Sequence, residues 1–203
     1  MKKSQGNTAQ LHELLYQALE TELGGEQIYK TALACAVNAD LKEEWEGYLE
    51  ETLTHQRVLA AVFEQLNLDP KKQTPGRKVV HHLGLSLVQA MEMAQAAGDR
   101  EAAELVAAEC VVLAETKDHT NWELIGTFAE QTSDTQLSKV LQQAYEAVAT
   151  DEAHHLFHTQ GWSRELWIQS LGLPAVLPPP EELKTVETAI GASRAEQQRD
   201  KML

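Results

Sequence analysis

Four long stretches of this chain carry apolar residues at helical spacing, and each line is interrupted near its middle by acids or histidine. The first runs from about Asn7 to Val37 along Leu11, Leu15, Ala18, Glu22, Gly25, Tyr29 and Ala32. The second runs from Asp40 to about Asn67 along Leu41, Trp45, Tyr48, His55, Leu59, Val62 and Leu66. The third, from about Arg100 to Glu130, reads Leu105, Ala108, Val112, Glu115, His119 and Trp122, and the fourth, 134–160, reads Leu141, Tyr145, Val148, Glu152 and His155. A period near 3.6 sustained this long, with aromatic residues at only 5%, makes the chain all-α.

Punctuation sets the topology. Only a few residues separate the first stretch from the second, and Asp40 with Glu43 resembles a capping box, so these two fold back as antiparallel neighbours. Pro70, Pro75 and Gly76 halt the chain after them. A shorter helix over 78–97 follows, with Gly98 to end it and Asp99 to cap the next. Ser133 with Gln136 is a second capping-box pair, opening the fourth stretch. Two antiparallel hairpins joined by a long connection pack most economically as a four-helix bundle with one long crossover containing an extra helix. The bundle domain is expected over 1–161. Residues 162–203 form a C-terminal extension with a short helix and a Pro-rich tail, which packs on the bundle or on a partner subunit and frays at its end.

The net charge of −14 excludes nucleic acid and anionic membrane as natural partners. No apolar run reaches membrane-span length, and "MKKSQGNTAQ" has no signal-peptide core, so a cytoplasmic protein is expected. Cys35 and Cys110 are too few for a zinc knot or a CxxC pair and suit a reducing compartment.

The interruptions carry the chemistry. Glu51 and His55 stand four apart on the second stretch, as do Glu115 and His119 on the third; Glu152 and His155 stand three apart on the fourth. Folding the first hairpin at 38–39 puts Glu22 level with His55 and Glu26 level with Glu51. Folding the second at 132–133 puts Glu115 level with Asp151 and Glu152. Taken singly, each group is an ordinary surface acid or a satisfied histidine. Together they form one layer of carboxylate and imidazole inside a core, which requires cations. Two divalent ions would balance four carboxylates, and this donor set suits iron first, then manganese, then zinc.

At this level the chain resembles the ferritin-like superfamily, the group of ferritins, rubrerythrins and manganese catalases. "ETELGGEQIY" is similar to the first ferritin helix, with Glu22 seven residues before Tyr29, and "DEAHH" matches the fourth-helix motif at Glu152 and His155. Glu115 takes the place of the third-helix Glu. The second helix departs from the pattern, because Thr52 occupies the usual Glu position and Glu51 precedes His55 by four. The resemblance implies a metal set of Glu22, Glu51, His55, Glu115, Glu152 and His155. Glu22, Glu51 and His55 would serve one ion; Glu115, Glu152 and His155 would serve the other. His119, Asp151, Glu26, Tyr29 and Tyr48 would be further ligands or neighbours that orient them. It implies a di-iron or di-manganese oxidoreductase reacting with oxygen or peroxide, assembled as a homo-oligomer, a dimer first. Iron storage or detoxification and a metal-free helical scaffold are the alternatives.

Overall fold

The structure, a computed structural model, describes residues 6–203; the first five residues of the bundle segment lie outside it. Every long element is a helix, and no strand forms among the described residues. No helix there is long and apolar enough to cross a membrane.

Side-chain caps fix the helix starts. The Asn7 side chain accepts from the Gln10 N–H at 3.2 Å and opens α1, Thr8–Cys35. The cap of α2, Ala39–Gln65, is Asn38 rather than an Asp40–Glu43 box, since Asn38 Oδ1 accepts from the Asp40 and Leu41 N–H groups at 3.0 and 3.2 Å. Glu104 then receives the Val37 and Asn38 N–H groups, both at 2.6 Å, and staples this first turn to α4. Thr74 caps α3, Pro75–Ala96, with Pro75 in the first turn, where its missing N–H costs nothing. Gly98 turns at φ +86°, and Asp99 caps α4, Arg100–Gln131. The residue that caps α5, Thr135–Glu146, is Asp134, in place of the expected Ser133–Gln136 pair.

The fourth stretch is therefore not one helix. It breaks at Ala147–Val148, where Val148 leaves the helical region at φ −129°, and resumes as α6, Ala149–Ser170. Before the break, the Tyr145 ring lies flat against Gly126 of α4, where a Cβ would come within 2.8 Å of it. After the break, Asp151 and Glu152 fall in the first turn of a new helix, the end that favours negative charge.

The boundary expected at Gly161 falls inside α6. Gly161 is not a stop but a contact: a Cβ there would meet Glu181 Oε2 at 2.5 Å and Pro179 Cβ at 2.9 Å. The proline-rich segment thus lies directly on α6, and Trp162 is fully buried with its indole N–H given to Glu182. Trp167 is 43% exposed and donates to Glu109. Instead of one short helix and a frayed end, the extension has α7, Pro180–Leu183, and α8, Ala189–Gln198, closed by a 3-10 turn at Arg199–Lys201.

Within the bundle α1 packs on α2 and α4, α4 packs on α5 and α6, and α3 covers the groove between α1 and α4. The apolar core of the bundle forms two large clusters, with a smaller third of Ala153, Leu156, Phe157, Val186 and Ala195 where α6 meets the extension. One large cluster gathers Ile28, Tyr29, Trp45, Ala108, Val111 and Trp162. The other large one gathers Leu15, Leu19, Leu59, Trp122, Ile125 and Val148. On α1, α2, α4 and α6 a level of buried polar residues lies between the two large clusters.

Candidate metal centre

Glu22 from α1, His55 from α2, Glu115 and Asp118 from α4, and Glu152 and His155 from α6 make up that level, and all are buried. His55 Nδ1 lies 3.0 Å from Glu152 Oε1 and 3.4 Å from Glu22 Oε1. His155 Nδ1 lies 3.6 Å from Glu115 Oε2. Both imidazoles thus turn Nδ1 inward. Their outer nitrogens meet carboxylates at the edge of the layer: His55 Nε2 faces Asp151 Oδ2 at 3.3 Å, and His155 Nε2 faces Glu51 Oε2 at 2.7 Å. A carboxylate behind the ring fixes its orientation and tautomer, the arrangement that supports a metal-ligating histidine.

The remaining supports come from the apolar clusters. Trp122 Nε1 donates to Glu22 Oε1 at 2.8 Å, and Tyr29 OH donates to Glu115 Oε1 at 2.7 Å. The Tyr48 ring lies 4.4 Å from the His155 ring, and its hydroxyl pairs with His158 Nδ1 at 3.1 Å.

Burial sets the protonation. It pushes the Glu22 carboxyl up, pushes Asp118 well up, and brings Glu152 to about 7. Burial alone would lower the two histidines. For His55 the carboxylates of Asp151, Glu152 and Glu22 overcome it and hold the ring at about 12; for His155, Glu115 and Glu51 hold it at about 10. Without another cation, protons on the imidazoles carry the positive charge of the layer.

Those protons leave much unsatisfied. Glu22 Oε2, Glu115 Oε2, Asp118 Oδ1 and both oxygens of Glu152 have no hydrogen-bond partner among the described residues. An uncompensated buried carboxylate oxygen is costly, and so many in one layer is the arrangement a cation site needs. The donors also sit at ligating separation. His55, Glu152 and His155 offer atoms all within 4.8 Å of one another, and so do Glu22, Asp118 and Glu152. Carboxylate and imidazole together suit first-row divalent metals, so the residues present fit such ions.

The sequence-predicted residues divide accordingly. Glu22, His55, Glu115, Glu152 and His155 come together. Glu51 and Asp151 stay at the rim, their side chains 41% and 35% exposed, each holding a histidine from outside. Glu26 does not pair with Glu51: it faces outward, bonded to Lys30 at 2.5 Å and to Gln56 at 3.2 Å. His119 misses the layer, its Nε2 lying 3.4 Å from Glu123. Tyr29 and Tyr48 border the site. His158 is buried, pairs with Tyr48, and stacks on His154 at 4.8 Å.

Asp118 is the residue missed. Its signal was present, since Glu115-x-x-Asp118 repeats the spacing of Glu152-x-x-His155. Asp118 restores the count of four carboxylates in the layer after Glu51 is placed outside it. Comparison with protein-family models, with curated proteins and with solved structures gives no match for this chain.

Proposed function

We propose that this layer binds two divalent metal ions, held by Glu22, His55, Glu115, Asp118, Glu152 and His155, in a bundle of the ferritin-like type, and that the protein is an oxidoreductase acting on oxygen or peroxide. One observation carries the reading: five buried carboxylate oxygens in one layer have no hydrogen-bond partner among the described residues. Two divalent ions would neutralise the four carboxylates they belong to. When bound in reduced form, such a pair supplies electrons to a small oxidant.

The chain's own part is orientation and exclusion of water. Asp151 and Glu51 hold the histidine rings from outside. Trp122 and Tyr29 each fix one oxygen of Glu22 and Glu115, leaving the other free to ligate. The apolar clusters above and below keep bulk water out, which strengthens charge interactions within the layer. Tyr29 donates a hydrogen bond to Glu115 at its edge, and Tyr48 lays its ring against His155.

The double substitution Glu152→Ala with His155→Ala tests the reading. It is expected to abolish metal retention, measured by elemental analysis of protein purified without chelator, while helical circular dichroism stays close to wild type. Full iron or manganese occupancy in the double variant would refute the site.

A further inference from the structure

A second pair of imidazoles lies on α6 outside the layer. At about 100° per residue, His154 points about 160° and His158 about 120° around the helix from Glu152. The two stand four apart and so share a face. Their rings stack at 4.8 Å with 19° between the planes. The segment that joins α7 to α8 passes beside them. From it Glu187 Oε1 comes within 3.8 Å of His154 Nε2, and the backbone of Val186 approaches His158.

Hydrogen bonding leaves this pair unfinished. His158 is 4% exposed; its Nδ1 is taken by the Tyr48 hydroxyl at 3.1 Å, and its Nε2 has no hydrogen-bond partner among the described residues. His154 Nε2 is also buried and has no such partner there. The 3.8 Å approach of Glu187 is too long for a hydrogen bond. Asp151, close to His154, is turned instead to His55 Nε2 at 3.3 Å. Two imidazoles stacked this closely cannot both take a proton without repulsion, so protons do not settle this pair. A buried nitrogen without a partner is costly, and neutral imidazole is the form that ligates a metal.

We infer that His154 Nε2, His158 Nε2 and the Glu187 carboxylate bind one zinc(II) ion, apart from the layer, with a water in the fourth position. Two histidines four apart on one helix face are a known zinc-chelating pair, and two imidazoles with one carboxylate are a donor set zinc takes. Two atoms each bound to one zinc at about 2.0–2.1 Å lie no more than about 4.2 Å apart. The approach of Glu187 to His154 already falls inside that limit. The Glu187 side chain is 57% exposed, so it closes on the ion without disturbing the core. Tyr48 holds the other nitrogen of His158 and orients its ring. The ion ties the α7–α8 segment to α6. Zinc has no redox chemistry, so this site is independent of the oxidant chemistry proposed for the layer.

Crystals of the full-length protein grown with excess zinc(II), measured on either side of the zinc absorption edge, test this. The expected anomalous map has a peak within bonding distance of His154, His158 and Glu187, whether or not zinc also enters the layer. A map with zinc in the layer and none beside His154 overturns the inference and leaves the proposed function standing. Equilibrium dialysis with elemental analysis gives a second reading in solution. Glu187→Gln changes an exposed side chain and keeps the fold. It should weaken this zinc by about tenfold or more, since losing a direct ligand costs at least what losing an outer partner does. His154→Gln should remove one zinc per chain and leave the metal content of the layer unchanged. Equal zinc binding in the wild type and both variants overturns the inference. Loss of the layer's ions together with this zinc also overturns it, because His154 would then act through the layer.

Discussion

Helix α6 buries two glutamates, and the chain treats them in opposite ways. Glu165 is fully buried, and each of its oxygens is served: the Val176 N–H donates at 2.8 Å, Arg199 Nε lies at 2.7 and 3.0 Å, and Arg164 Nε at 3.0 Å. Burial would raise its pKa, but these donors win and the carboxyl stays below its ordinary value. Glu152 is buried to nearly the same degree, has no hydrogen-bond partner on either oxygen among the described residues, and rises to about 7. Burial alone therefore says little about the role of an acid. What separates the two is whether the chain brings its own donors. Glu165 ties the C-terminal extension to the bundle. Glu152 has no such donor among the described residues, which is why the proposed metal site is drawn around it.

Removing a donor from the satisfied region should give the largest stability change. Arg199→Ala strips the guanidinium that reaches both oxygens of Glu165 and the Pro174 carbonyl. Breaking a buried pair from one side is expected to cost about 3 kcal/mol, read as a lower midpoint in urea. No loss would mean that Arg164 and Val176 suffice, and the satisfied region would be less interdependent than the geometry implies. The unsatisfied region should respond with the opposite sign. Asp118→Asn in chelator-treated protein removes a buried acid that faces Glu22, Glu152 and Glu115 and whose Oδ1 has no hydrogen-bond partner among the described residues. Stability of the metal-free chain is expected to rise by about 1 kcal/mol. A loss comparable to that of Arg199→Ala would show that Asp118 is a structural acid like Glu165, and the contrast would fail.

How much of this was legible follows from which interactions are local. The existence of the crossover helix, the start of α1 and the α3–α4 junction could be placed from Asn7, Gly98 and Asp99, because caps and turns act within a few residues; Pro75, read as a stop, instead opens α3 three residues before the expected start at 78. The level of the polar layer was also legible, since a short turn fixes the depth of both arms of a hairpin: Glu22 meets His55 as the fold-back at 38–39 requires. The choice between neighbouring positions on one face was not. A residue three along a helix lies about 60° to one side, and a residue four along lies about 40° to the other. On α4 it is Asp118 rather than His119 that joins the layer beside Glu115, and on α2 Glu51 lies at the rim against His155 rather than beside His55. Only the neighbouring helices decide which side faces in. The break at Val148 and the run of α6 through Gly161 depend on Tyr145 meeting Gly126 and on Glu181 and Pro179 meeting Gly161. Those contacts join distant parts of the chain and leave no local mark.

The smallest expected effect separates the two regions by acid. A carboxyl whose folded-state pKa lies below its unfolded value contributes stability above that value and loses it as the pH falls through the folded one. Glu165 is such a group, with an ordinary value of 4.5, so its hold on the extension should be complete at neutral pH and fail only below 4.5. The change should be local, because α1, α2 and α4 carry none of its partners. Hydrogen exchange at the Val176 amide, corrected for its intrinsic rate, reads it directly, since that N–H is bonded to Glu165 itself. Exchange should quicken as the pH drops below 4.5 while the amides of α1 stay protected. If both regions lose protection together, the extension is not a separately held unit, and the fully paired glutamate is part of the same cooperative core as the unpaired one.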